Sequence, residues 1–545
     1  MKKFLAFFLA LVMVLGLCAC GGNGDEDEGG LTADGKVKLT IGIKPNALVM
    51  DMDNNALTKW VEETCGVEIE FQQYAGGTDV ASQIGGAIGA RQELPDILYG
   101  IELEDNTLSK YGKEGYFLDL TEYYEDRDGA SKTFWDRIES ELDEETRDFV
   151  IRTITDADTG EIYSVPTIET SLVDRMNYQM WINMEWLDAV GLDKPTNNDE
   201  LYEVLKAFKE KDTNGDGKTD DQIPLYGSKN ASMSGDVIDW LINLFIYYNE
   251  ARNYQVSADD KLSPTYTDDK YREALQFINK LYKEGLLSPL TWTDGDSSMK
   301  SVITPGTGVA RCGIFAGHLT AHATPGSEVL YEYEPLQTWG NAVRSDVYLK
   351  SDTYITEYCE HPDKAFEVLM TLFSWDGSMR IRYGEKGANW TDADEGAKSD
   401  IGFDATYKLI SDPLKIQSTA VWGTIASTLN VWAEGETAQI AENMDQWTAT
   451  KSKMHAESNR LFEEAAANNN PEKVCPKLTL TTEEKEATKM ERTNINSLYY
   501  RAQTEFCTGV RDPYSDADWQ AYLDQMEELG LSKVVEQMQS VYDRT

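Results

Sequence analysis

The sequence predicts an α/β protein with more than one lobe, built on open, mainly parallel sheets flanked by helices. Three observations carry this. Residues 37–99 alternate strand and helix patterning in the order βαβαβ. The 545 residues exceed what one hydrophobic core organises. The C-terminal third carries helical spacing.

Val37–Ile43 alternates and reads as the first strand. A helix follows near Asn55–Thr64, with Leu57, Trp60 and Val61 on one face and Gly66 as its stop. Val67–Phe71 alternates again, and Ala81–Ala90 is a second helix. Leu94–Tyr99 is a third strand, entered through Pro95. Open parallel sheets bind ligands beyond the carboxyl ends of their strands. Tyr74 follows the second strand and Tyr99 ends the third, so both are expected at a cleft. Further on, Asp236–Tyr248 reads as an apolar helix. Tyr271, Ala274, Leu275, Ile278, Leu281 and Tyr282 recur at helical spacing up to Gly285.

Hydrophobic residues make up 41% of the chain, ample for real cores. With 95 acidic and 50 basic residues the formal net charge is −45. Such a surface repels nucleic acid, and no basic patch offsets it, so no nucleic-acid partner is expected. Lys2 and Lys3 precede an apolar run from Phe4 to Leu17, the pattern of a signal peptide over residues 1–19. Leu17-Cys18-Ala19-Cys20 resembles a bacterial lipobox, which makes Cys20 the lipidated first residue and a membrane anchor. An ordinary secretory signal is the alternative. Residues 20–35 read as a flexible tether. Cys65, Cys312, Cys359, Cys475 and Cys507 are odd in number without a CxxC, so neither disulfides nor zinc are expected. His318, His322, His361 and His455 are too scattered for a metal or nucleophile site.

Asp212-Thr213-Asn214-Gly215-Asp216-Gly217-Lys218-Thr219-Asp220-Asp221 is the most pointed motif. A calcium ion takes about six to eight oxygens, and calcium loops space them around a glycine turn. Asp212, Asn214, Asp216 and Asp220 supply side-chain oxygens, Lys218 its carbonyl, and Gly217 the turn. Ile223 stands where an EF-hand has its bidentate Glu, and Asp221 is the substitute. An Asn/Asp/Gly-rich surface turn is the plainer alternative.

The loop is preceded by Trp186-Leu187-Asp188 … Gly191-Leu192 … Pro195-Thr196 and followed by Ile223-Pro224-Leu225. In this order the segments resemble the extracellular solute-binding proteins of ABC transporters. They are most similar to the large sugar-binding lipoproteins of Gram-positive bacteria and to calcium-carrying alginate-binding proteins. Tyr116–Thr121, Gly160–Pro166, Tyr282–Pro289, Tyr383–Trp390 and Phe506–Gly509 extend the likeness over most of the chain. The resemblance implies a two-lobe periplasmic-binding-protein-like fold of type II. Residues 36–165 and 336–385 would form the first lobe, and 166–335 and 386–545 the second. Pro166–Thr170 would be hinge, Asp174–Tyr178 a strand, and Tyr331–Leu336 the return to the first lobe. It also implies a structural calcium away from the ligand, an ABC permease as partner, and a monomer anchored outside a Gram-positive cytoplasmic membrane.

Sugar recognition needs flat apolar faces for rings and planar polar groups for hydroxyls. Aromatic residues beside turns are the candidates for the cleft: Trp292, Phe315, Trp339, Trp390 and Trp422, with Tyr74 and Tyr99. Glu169, in the expected hinge, is the candidate hydroxyl acceptor. Phe315, Trp292 and Trp422 are expected on the second lobe; Trp186 and Trp519 belong to core-facing helices. The expected function is capture of an oligosaccharide for import. A peptide or other solute, or a non-transport receptor, would use the same fold. A hydrolase or lyase is disfavoured because GxSxG, HExxH and P-loop motifs are missing from the sequence.

Overall fold

The computed structural model describes residues 31–32, 35–75, 79–399, 401–429, 437–439 and 446–545; Cys20 and its leader lie outside them. The strands in chain order are β1 Val37–Ile43, β2 Val67–Gln73, β3 Ile97–Tyr99, β4 Val165–Glu169, β5 Met180–Asn183, β6 Ile223–Tyr226 and β7 Tyr254–Val256. They continue as β8 Leu262–Pro264, β9 Cys312–Ala316, β10 Tyr333–Pro335, β11 Tyr348–Ile355, β12 Trp390–Asp392 and β13 Tyr407–Leu409. Two sheets organise the molecule, in the orders β2-β1-β3-β11-β4 and β10-β5-β9-β6.

The first sheet forms as the patterning predicts. In β1, Leu39, Ile41 and Ile43 are buried; in β2, Val67 and Ile69 are buried while Glu68 and Glu70 face water. Helix Ala56–Cys65 is capped by Asn55, whose side chain accepts from Leu57 N, and ends at Gly66 with φ 67°. Only glycine takes that left-handed turn without steric cost. The same Asn55 donates to Val421 O at 2.8 Å, so the helix start is also a tertiary tie. β1 runs parallel to β2 and β3, and β11 enters antiparallel between β3 and β4.

The second sheet is mixed. β6 and β9 are parallel, whereas β5 pairs antiparallel with both β9 and β10. Each sheet thus has one strand running against the rest, β11 in the first and β5 in the second, and the expected open, mainly parallel sheets hold in both lobes. Three segments differ from their expected places. Pro166–Glu169 lies in β4, paired with β11, so this stretch is strand and not a loose hinge. Asp174–Tyr178 is irregular, and the strand begins at Met180. Tyr333–Pro335 is still in the second sheet, so the return to the first lobe comes after Leu336.

The cores show which segments belong together. Trp422, Ala426 and Leu429 pack among Leu39, Leu57 and Ile97 of the first lobe. Met454, Phe462, Leu498, Phe506, Trp519 and Tyr522 pack with Trp186, Phe208 and Leu275 of the second. The C-terminal region expected on the second lobe is therefore divided, with 422–429 completing the first. Cys65, Cys312, Cys359, Cys475 and Cys507 are free and buried. Among the described residues no helix is long and apolar enough to cross a membrane.

Candidate functional site

A cavity of about 970 Å³ lies where strand ends of both sheets converge. The first sheet supplies Glu169, the last residue of β4, and Tyr348, the first of β11; the two are paired in register. The crossing segments supply Asp174–Asn177 and Ser345–Val347. The second lobe supplies Lys229, Ala231 and residues 233–236, which follow β6, together with Asp239 and residues 249–251. A smaller hollow of about 230 Å³ shares Tyr348 and is lined by Lys44, beyond β1, and Gly100, beyond β3. Both lie at the carboxyl ends of the first sheet's parallel strands, as open α/β sheets require.

Tyr348 is 48% exposed, a flat ring open to the cavity. Lys350 Nζ stands 5.2 Å from its centroid and pairs with Glu102 at 2.6 Å. Below them Asp352 is buried, and Thr167 Oγ1 donates to its two oxygens at 3.1 and 3.0 Å. Burial pushes the Asp352 carboxyl up to about 7, outweighing the Thr167 hydrogen bonds and the Lys350 charge.

On the opposite wall Lys229 meets three carboxylates: Asp236 at 2.9 Å, Glu250 at 3.2 Å and Asp239 at 3.4 Å. Burial alone would lower the Lys229 ammonium, but the three carboxylates hold it well above its usual range. Burial raises Asp239, with Asp236 adding to the rise. Asp174, on the crossing, receives His318 Nε2 at 3.3 Å, and that hydrogen bond holds its carboxyl below the usual value.

Glu169 is the one sequence-derived cleft candidate that lines this cavity; it is 6% exposed. The structure places the aromatic candidates elsewhere. Tyr99 and Trp422 are fully buried against each other, edge to face at 5.2 Å. Tyr99 Oη donates to Ala426 O at 2.8 Å, and Trp422 Nε1 to Thr58 Oγ1 at 2.9 Å. Trp422 thus belongs to the first lobe's core and not to the second lobe's cleft face. Tyr74 packs with Leu98 and Tyr354; its hydroxyl has no partner among the described residues, and burial pushes it up to about 12. Phe315 sits mid-core in β9 against Tyr333, at 4.9 Å. Trp390 is buried, its Nε1 donating to Gly384 O at 3.0 Å. Trp339 donates to Asn198 Oδ1 at 2.8 Å, and Trp292 packs edge-on to Tyr282 at 5.2 Å. Neighbouring turns marked these rings, but turn proximity says nothing about which way a ring faces. Tyr348 is not among the sequence-derived candidates; its position at the start of a strand leaving the crossing is the signal for it.

The acidic loop joins helix Asn198–Glu210 to the start of β6, at the opposite end of that strand from Lys229. Asp212 accepts Gly215 N and Gly217 N, both at 2.9 Å, and Asp216 accepts Lys218 N at 2.9 Å. Gly215 and Gly217 have φ 72° and 86°. Gln222 closes the base, accepting Thr213 N at 2.7 Å and donating to Lys211 O at 2.7 Å. Asp221 Oδ1 is buried with no hydrogen-bond partner among the described residues. An orphaned carboxylate oxygen in a turn of acidic side chains suits a hard cation. The carboxylates are not drawn tightly together: among the described residues the metal-like group of three is Asp236, Asp239 and Glu250, which Lys229 already occupies.

The sequence profile of the family described as bacterial extracellular solute-binding protein matches residues 51–374. The fructooligosaccharide ABC transporter substrate-binding protein FusA of Streptococcus pneumoniae serotype 4 is 27% identical over 242 residues, 44% of this chain. That match spans 42% of FusA's own length. An HMO-binding, ABC-transporter-associated solute-binding protein from Bifidobacterium longum infantis superposes with a TM-score of 0.69. It is 20% identical, covering 94% of this chain and 99% of that one. The EF-hand mutant of S. pneumoniae FusA, solved with fructo-nystose, superposes with a TM-score of 0.62 at 20% identity, covering 93% of this chain and 99% of that one.

Proposed function

Since the chain belongs to the bacterial extracellular solute-binding proteins, we propose that it captures an oligosaccharide between its lobes and delivers it to the permease of an ABC importer. Members of this family bind and do not catalyse, and the chain is a binding protein and not an enzyme. The observation that carries the sugar reading is the cavity itself. At about 970 Å³ it is at the upper end of the roughly 300–1,000 Å³ of small-ligand sites. Among the described residues of its lining, Tyr348 is the one aromatic ring, and it is exposed beside polar groups. Tyr348 stacks on a sugar face, and Glu169, Asn177 and Asp174 meet hydroxyls. The sugar specificities in the names of FusA and the Bifidobacterium protein support the same class. Closure bends the crossings at 170–179 and 336–347, bringing the second-lobe wall onto the ring.

Replacing Tyr348 by Ala is expected to cost about 1–3 kcal/mol of oligosaccharide affinity, the range of an anchor residue. Calorimetry on a panel of oligosaccharides measures it, and small-angle scattering reads the compaction on binding. Binding without compaction sinks hinge closure; an unchanged affinity in Tyr348→Ala sinks the ring's role; turnover of the sugar sinks the non-enzymatic reading.

The acidic loop holds a structural Ca²⁺ through the side chains of Asp212, Asn214, Asp216, Asp220 and Asp221 and the carbonyl of Lys218. The name of the FusA EF-hand mutant supports an EF-hand in a protein of similar fold. A cation bound only by the folded state stabilises by RT ln(1 + [L]/Kd), about 2.7 kcal/mol at a hundredfold excess over Kd. Chelation should therefore lower Tm, and added Ca²⁺ restore it, with sugar affinity changing less. Elemental analysis without calcium and a Tm indifferent to chelator would overturn this. Cys20, lipidated after cleavage, anchors a monomer outside the cytoplasmic membrane of a Gram-positive cell. A mature N-terminus elsewhere, read by mass spectrometry, removes that anchor.

A further inference from the structure

Among the described residues, six carboxylates line the main cavity (Glu169, Asp174, Asp236, Asp239, Glu250 and Asp346) against two cations, Arg175 and Lys229. Lys229 is enclosed by Asp236, Asp239 and Glu250, and Arg175 Nε donates to Ser345 O at 3.0 Å. Arg252, nearby, is spent on Asp346. Asp174 and Glu250 keep 42% and 33% of their side chains open, so their charge faces whatever fills the cavity. Sites that bind carboxylates or phosphates present forked guanidinium groups or open ammonium groups to them. This cavity presents three carboxylates for each cation.

Resting on the oligosaccharide reading, we infer that the ligand is an uncharged oligosaccharide, and that the cavity rejects chains of uronic acids. A carboxylate on each ring of a polyuronate would stand beside Asp174, Glu250 and Glu169, in a lining where carboxylates outnumber cations three to one. Hydroxyls pose no such problem, because an ionised carboxylate accepts from them directly. The excess of negative charge around the cavity thus sets specificity through repulsion of the wrong ligand.

The test is calorimetry on the whole mature protein at about 0.15 M salt, where fields reach roughly 8 Å. The probes are neutral fructo-, malto-, xylo- and manno-oligosaccharides of three to five rings, set against oligogalacturonates of matched length. At least one neutral series should bind, and the galacturonates should bind at least about tenfold more weakly than the best of it. The double variant Asp174→Asn/Glu250→Gln should then narrow the gap by about threefold or more per charge removed, chiefly by gain of the galacturonate. Galacturonates binding as well as the best neutral sugar would overturn the charge inference and leave the oligosaccharide reading standing. A gap unmoved in the double variant would also overturn it, since the repulsion would then lie elsewhere. Silence from both series would remove the oligosaccharide reading and this inference with it.

Discussion

Trp422→Ala should lose about 3–5 kcal/mol of folding stability, the range for deleting a fully buried indole. The loss has three sources. The ring fills space between Phe71 and Tyr99, at centroid distances of 5.3 and 5.2 Å. Its Nε1 satisfies Thr58 Oγ1 in the buried interior. It also fixes the segment that closes the first lobe, where Tyr99 Oη reaches Ala426 O. Equilibrium denaturation measures the loss. The molecules that remain folded should bind ligand normally, which is the opposite of the result expected for Tyr348→Ala. A variant that unfolds at the wild-type denaturant concentration but binds weakly would return Trp422 to the cleft.

The second large effect is expected from Lys229→Met. Removing one partner of a buried ionic group leaves uncompensated charge, at a cost of about 3–5 kcal/mol. Here three carboxylates would lose their common cation, and the Lys229 side chain is only 15% exposed. The pH dependence follows from the direction of the shifts. Lys229 is held above its ordinary value, so its contribution is complete at neutral pH and fades only as pH rises through the folded pKa. In the variant the acids dominate. Asp239 is already raised, and without Lys229 it is raised further. A raised carboxyl favours the fold below the unfolded carboxylate range and ceases to do so as pH climbs. The deficit of Lys229→Met should therefore be smaller at pH 4.5 than at pH 8, read as denaturation midpoints at the two values. Equal deficits would mean that the loss is packing alone.

Much of the first lobe was legible because local signals agreed with the final fold. Asn55 and Gly66 bracket a helix, and Leu39, Ile41 and Ile43 alternate against water-facing neighbours. The second lobe was less legible because β5 and β10 are short strands whose partners lie over 100 residues away in sequence, and direction is decided by those partners. The cavity was partly legible: the rule of carboxyl strand ends located it, and Glu169 is in it. The rings were not. Whether Trp390 or Phe315 faces a core or a cleft depends on what packs over it, and a residue's neighbours in sequence do not say. Lys229 has no signal in the sequence, because one lysine among so many charges acquires meaning only when Asp236, Asp239 and Glu250 surround it.

The first lobe is closed by residues far along the chain: Leu98 pairs with Tyr354 across β3 and β11, and Tyr99 waits for Ala426, 327 positions later. A polypeptide synthesised at about 5–20 residues per second would hold that half-built sheet for on the order of tens of seconds. For most of that interval β3 has no β11 beside it, and the pocket that receives Trp422 stands empty until the end. Early native-like collapse is thereby postponed until the later segments arrive, which keeps the emerging chain threadable through a translocation pore. The same delay leaves the edge of β3 uncovered until β11 is out.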